Sequence, residues 1–155
     1  MPHKYFKKAV KITLENIESG GRPFGAVIVK DGEIIAEAVN TMLDDHDPTA
    51  HAEMTAIRKA GKALKSIDLT GCIVYATGEP CPMCQAAIYM SGIREVHYLF
   101  SNEDGAPYNL STADIAKEMM KLPAERVGFI FKVAKPKVKA EFIDLYQFWH
   151  IENER

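Results

Sequence analysis

Two short fragments constrain this chain more than anything else in it: His51-Ala52-Glu53 and, further along, Pro80-Cys81-Pro82-Met83-Cys84. Each stands where a turn gives way to a helix. Asp47-Pro48-Thr49 precedes the first, with Asp47 or Thr49 as a cap and a proline that cannot sit inside the helix. Thr77-Gly78-Glu79-Pro80 is the turn before the second. Cys81 and Cys84 are three positions apart, so in a first helical turn both sulfurs face one side. His51 adds an imidazole, and the resulting N/S set suits zinc.

Three protein ligands leave one tetrahedral position open, the arrangement of a catalytic centre. A closed structural site needs a fourth donor from Cys72, His46 or His97. Cys72 lies in an apolar run and reads as a core thiol, His46 as a loop residue and His97 as an ordinary strand residue. Helix amino termini favour thiolates through their unpaired N–H groups and the macrodipole. Zinc there would bring a water to a pKa of roughly 7. Glu53, close by and not a ligand, is the candidate carrier of its proton. A C-x-x-C by itself also describes a redox pair, and a non-catalytic zinc or redox module would make Glu53 dispensable.

The rest of the chain supplies the frame. At 155 residues, 47% apolar and 26% charged, it suits a single soluble domain. The spacing predicts a helix over 5–19, with Phe6, Val10, Leu14 and Ile17 on one face and Gly20-Gly21 as its end. Runs 26–29 and 34–39 flank Asp31-Gly32, a hairpin signal. A helix from about 50 towards Gly61 follows, then a strand over 72–76 and a helix from 81 to about 90. Beyond lie a strand over 95–100, a loop over 101–111, a helix over 112–120, a strand over 127–133 and a closing helix over 140–153. Such alternation favours a three-layer αβα sandwich around a mixed sheet.

A net charge of -2 offers no broad phosphate-binding surface, which disfavours a large nucleic acid as the main partner. No apolar run reaches the roughly 20 residues of a membrane span, and the basic start lacks a signal peptide's apolar stretch. Three cysteines without an export signal read as thiols or ligands, and the expected compartment is the cytoplasm.

The run Pro23-Phe24-Gly25-Ala26-Val27-Ile28-Val29, then Asn40, then 47–53 and 79–84 resembles the cytidine deaminase-like superfamily. Within it the chain is most similar to bacterial guanine deaminases and next to the tRNA wobble-adenosine deaminases. The likeness is close over about 6–98 and loose afterwards. It implies a five-stranded mixed sheet, one zinc on His51, Cys81 and Cys84, and Glu53 as proton shuttle. It implies a homodimer too, in which neighbouring subunits help to close the site. By the same carry-over Asn40 hydrogen-bonds the base, Phe24 lines the pocket, the backbone at Ala52 helps hold the reacting centre, and Glu79 belongs to the substrate-side group.

The expected reaction is zinc-dependent hydrolytic deamination of a nucleobase, guanine to xanthine plus ammonia. The alternatives are editing of a tRNA wobble adenosine, or deamination of another free base, a nucleoside or a pterin. The family completes its pocket with a carboxyl-terminal carboxylate and an aromatic lid. In segment 139–155 the candidates are Glu141 and Asp144, with Tyr146, Phe148 and Trp149. An amphipathic helix packing those rings on the sheet is the competing reading. The loop over 102–110 departs from the guanine deaminase pattern, and loops of this kind choose the substrate.

Overall fold

The computed structural model describes residues 2–154. They form two compact units, one reaching Met120 and the other beginning at Lys121. In the first, helix α1 (Pro2–Glu18) leads into a hairpin of β1 (Gly25–Lys30) and β2 (Glu33–Val39). A short α2 (Met42–Asp45) precedes α3 (Ala52–Leu64), followed by β3 (Ile73–Gly78), α4 (Pro82–Met90) and β4 (Glu95–Phe100). Helices α5 (Asn102–Gly105) and α6 (Ala113–Met119) complete it.

The sheet runs β2-β1-β3-β4, with β1 antiparallel to both neighbours and β4 parallel to β3. Asp31 and Gly32, with φ of 50° and 80°, make the tight hairpin turn that their residue types favour. Alternation along the strands sorts side chains to two faces. Ala26, Ile28, Ala36, Ala38, Val74 and Ala76 meet α3, while Val27, Val29 and Tyr75 meet α1. Helix, sheet and helix make the three layers.

Five expectations need correction. The sheet has four strands among the described residues, not five. Residues 127–133 form no ladder: Gly128 turns at φ 69°, Phe129 and Phe131 stack on each other at 5.8 Å, and Arg126 lies over Phe129. A strand exists through its neighbour's hydrogen bonds, and an apolar pattern alone does not make one. Helix α1 buries Tyr5 and Ala9 with Phe6 and Ile12 beside them, whereas Leu14 and Ile17 are exposed.

Helix α3 also runs past Gly61 to Leu64. Lys65 takes the left-handed cap position at φ 52°, its N–H reaching the carbonyls of Gly61 and Lys62. In the second unit, α7 (Pro136–Lys139) is separate from α8 (Leu145–Asn153). The closing helix starts at Leu145 because Asp144 Oδ1 accepts from the N–H groups of Tyr146 and Gln147, each at 3.0 Å. Tyr146, Phe148 and Trp149 are exposed on that helix.

Candidate zinc and active site

His51 and Cys81 are both N-cap residues, of α3 and α4, each with extended backbone angles. Neither side chain caps its own helix, so both are free to turn towards each other. Asp47, expected as a possible cap, shapes the approach instead: its Oδ1 accepts from Thr49 N at 2.8 Å and from Thr49 Oγ1 at 2.7 Å. The N–H of Thr41 donates to Ala50 O at 3.1 Å, tying the exit of β2 to the entry of α3.

The three expected ligands converge. His51 Nδ1 lies 3.5 Å from each sulfur, and the sulfurs lie 3.6 Å apart. Zinc–sulfur and zinc–nitrogen bonds of about 2.3 and about 2.0 Å give tetrahedral edges of about 3.8 Å between sulfurs and about 3.6 Å from sulfur to nitrogen. The triad fits that size. Among the described residues it is the group of His, Cys, Asp and Glu donors arranged to hold a metal ion. Cys72, His46 and His97 stand outside it: Cys72 is buried in the core, His46 caps α2 in a left-handed conformation, and His97 stacks on Tyr75 at 5.0 Å.

Electrostatics distinguish the donors. Its hydrogen bond with Cys84, then its contact with His51, lowers the Cys81 thiol to about 4 against the opposing effect of burial. Cys84 is pushed up by that same bond and by burial. The His51 imidazole is raised chiefly by its bond to Cys81. Glu53, in the first turn of α3, is buried and neighbours Cys84; desolvation raises its carboxyl above the ordinary range.

The other expected residues fall around this centre. Asn40 is buried at the end of β2, and its N–H donates to Phe24 O at 3.0 Å. Its Oδ1 accepts from Met42 N at 3.1 Å, while Nδ2 faces only the Met42 sulfur at 3.3 Å, a weak acceptor. Ala52 is fully buried at the start of α3. Phe24 and Glu79 line a cavity of about 390 Å³ together with Gly78, Asn102, Asp104 and Tyr108; the zinc ligands do not line it.

Sequence reasoning missed three supporting residues. Asn16 Nδ2 donates to Arg22 O at 2.9 Å and Asn40 O at 3.0 Å, pinning the segment that carries Asn40. Asn102 and Thr112 connect to Glu79 through hydrogen bonds. An asparagine in a helix or loop carries no signal of so distant a partner.

Residues 1–100 match the cytidine and deoxycytidylate deaminase zinc-binding region. This chain belongs to that deaminase family. It is 44% identical to the guanine deaminase of Bacillus subtilis over 96% of its own length and 94% of the relative's. The crystal structure of a guanine deaminase from Bacillus subtilis superposes with a TM-score of 0.84 at 42% identity, covering 96% of this chain and 92% of that one. A tRNA-specific adenosine deaminase from Aquifex aeolicus is 46% identical, over 62% of this chain and 64% of that protein. The donor triad and the family agree: this is a zinc-dependent deaminase. No described helix is long and apolar enough to cross a membrane.

Proposed function

We propose that the protein hydrolyses the exocyclic amine of guanine, giving xanthine and ammonia. The observation that carries the substrate is the extent of the likeness. Similarity to the guanine deaminase runs over 96% of the chain, whereas that to the Aquifex tRNA deaminase spans 62%. The net charge of -2 points the same way, since an RNA substrate calls for a basic surface.

Zinc on His51, Cys81 and Cys84 supplies the Lewis acidity that makes water nucleophilic near neutral pH. Glu53 moves the protons. Its buried carboxyl holds a proton more readily than an exposed one, so it can accept one from the attacking water. It passes that proton to the ring nitrogen beside the reacting carbon, then takes a second one from the newly added hydroxyl and delivers it to the departing amine, so that ammonia leaves and a carbonyl remains. Asn40 orients the base: with Oδ1 occupied by Met42 N, its Nδ2 is the group available to a ring acceptor. By the family likeness the Ala52 backbone and the Phe24 ring border the base; Ala52 is buried at the start of α3 and Phe24 lines the cavity of about 390 Å³.

Ammonia release from purified, zinc-loaded protein tests this reading across purine and pyrimidine bases, nucleosides and pterins. We expect kcat/KM for guanine to exceed that for every other compound at least about a hundredfold. Turnover of another base in preference to guanine overturns the substrate assignment. An anticodon stem-loop should be neither bound at low salt nor deaminated. The protein is expected to be a cytoplasmic homodimer, which sedimentation of the purified chain tests for the oligomer.

A further inference from the structure

We infer that Glu79 is a positioning residue: paired with Asn102, its carboxylate docks loop 101–112 onto the turn that delivers Cys81, and so sets one wall of the cavity that Phe24 and Glu79 line. The inference rests on the deaminase reading above.

The hydrogen bonds leave little choice of role. Glu79 N donates to Phe100 O at 2.8 Å, joining the end of β3 to the end of β4. Asn102 then presents two donors to the two carboxylate oxygens: its N–H to Oε1 at 3.1 Å and its Nδ2 to Oε2 at 3.0 Å. Asn102 Oδ1 in turn accepts from Thr112 N at 3.0 Å and Oγ1 at 3.4 Å. One side chain therefore closes the loop at both ends, and one carboxylate holds that side chain. A substrate donor would have to displace one of these bonds to reach Glu79.

The loop is a preformed body. Ser101 and Asp104 make a reciprocal capping box, and Leu110 N donates to Gly105 O at 3.0 Å. What remains to be set is its placement, which the Glu79–Asn102 pair supplies through charge-assisted bonds. Asp104, Tyr108 and Leu110 of the loop line the same cavity of about 390 Å³ as Phe24. Phe24 is fixed independently: a Cβ on Gly78 would meet its ring at 3.0 Å, so the ring lies directly on that glycine. One wall is held by a missing side chain, the other by a carboxylate.

Three variants test the pair: Glu79→Ala, Glu79→Gln, and the reciprocal exchange Glu79→Gln with Asn102→Asp. In Glu79→Gln one bond is lost whichever way the amides turn, because two NH2 groups oppose each other or Asn102 abandons Thr112. The reciprocal exchange restores each donor to an acceptor. Hydrogen exchange at the amides of Asn102 and Thr112 should quicken about tenfold or more in Glu79→Ala and recover to within about threefold in the reciprocal pair. KM for guanine should rise about tenfold in Glu79→Ala while kcat changes less than about threefold, and zinc should stay at about one per chain.

A reciprocal pair no better than Glu79→Gln alone, or unaltered exchange in Glu79→Ala, overturns the inference. Should Glu79→Ala fail to load zinc, the decision passes to the other two variants. If the unaltered enzyme ignores guanine, the function proposed above fails, yet the exchange measurements still decide the clamp.

Discussion

Under α3 the sheet presents Ala26, Ala36, Ala38 and Ala76, and the helix answers with Ala52, Ala56 and Ala60. Under α1 it presents Val27, Val29 and Tyr75, and there the helix answers with Tyr5 as well as Ala9. Tyr75 sits among rings, 4.9 Å from Tyr5, 5.4 Å from Phe6 and 5.0 Å from His97. Small side chains let a helix approach closely, and close packing transmits any added methylene as strain. The α3 face combines these alanines with Ile28 and Val74 of the sheet, and the helix seated on it carries Glu53 in its first turn with His51 as its cap. The α1 face carries aromatic bulk and no zinc ligand. The zinc ligands and Glu53 thus stand on the α3 side of the sheet, while the aromatic cluster around Tyr75 lies on the α1 side.

Substitutions on the two faces should therefore differ in kind, and four experiments put that to the proof. The largest effect is expected from His51→Ala, which removes a ligand: zinc should fall from about one per chain to a small fraction and ammonia release should vanish. Retained metal by elemental analysis would mean that another donor completes the site. Glu53→Gln should keep the zinc and lower kcat by about a thousandfold, the scale of positioned proton transfer. Activity near that of the unaltered enzyme would remove Glu53 from the mechanism.

Ala56→Leu overfills the α3 face and should cost about 1–3 kcal/mol in denaturant unfolding. It should also reduce kcat/KM by about tenfold, because the amino terminus of α3 moves with the helix. A stable, fully active Ala56→Leu enzyme would break the contrast between the faces. Tyr75→Leu on the other side should cost about 1–2 kcal/mol through lost ring contacts. Its kcat/KM should stay within about twofold; a larger fall would show that the α1 face also governs the site.

Much of the first unit was legible because its signals are local. The Asp31-Gly32 turn, the alternation of β1 and the helix starts before Ala52 and Pro82 each depend on a few adjacent residues. The second unit shows the converse. Residues 127–133 have a strand's composition and no ladder, and Asp144 rather than the apolar pattern decides where α8 begins. The stripe expected on α1 was misplaced for a related reason: Val10, Leu14 and Ile17 line the cavity of about 390 Å³, while Tyr5 and Ala9 fill the core. Periodicity reports that a face is apolar, not what covers it.

What the chain's residues determined unaided was the chemistry: an imidazole, two thiols and a free carboxylate, each type and spacing suited to zinc and proton transfer. Only the tertiary structure decided which atoms meet. It brought the His51 ring within 3.5 Å of sulfurs 30 and 33 residues away, and joined Glu79 to Asn102 across 23 residues. Local sequence sets donor type and helix start through short-range sterics and hydrogen bonds. Distances between segments depend on how the alanines and the branched side chains of that face let α3 settle on the sheet, and that is a property of packing.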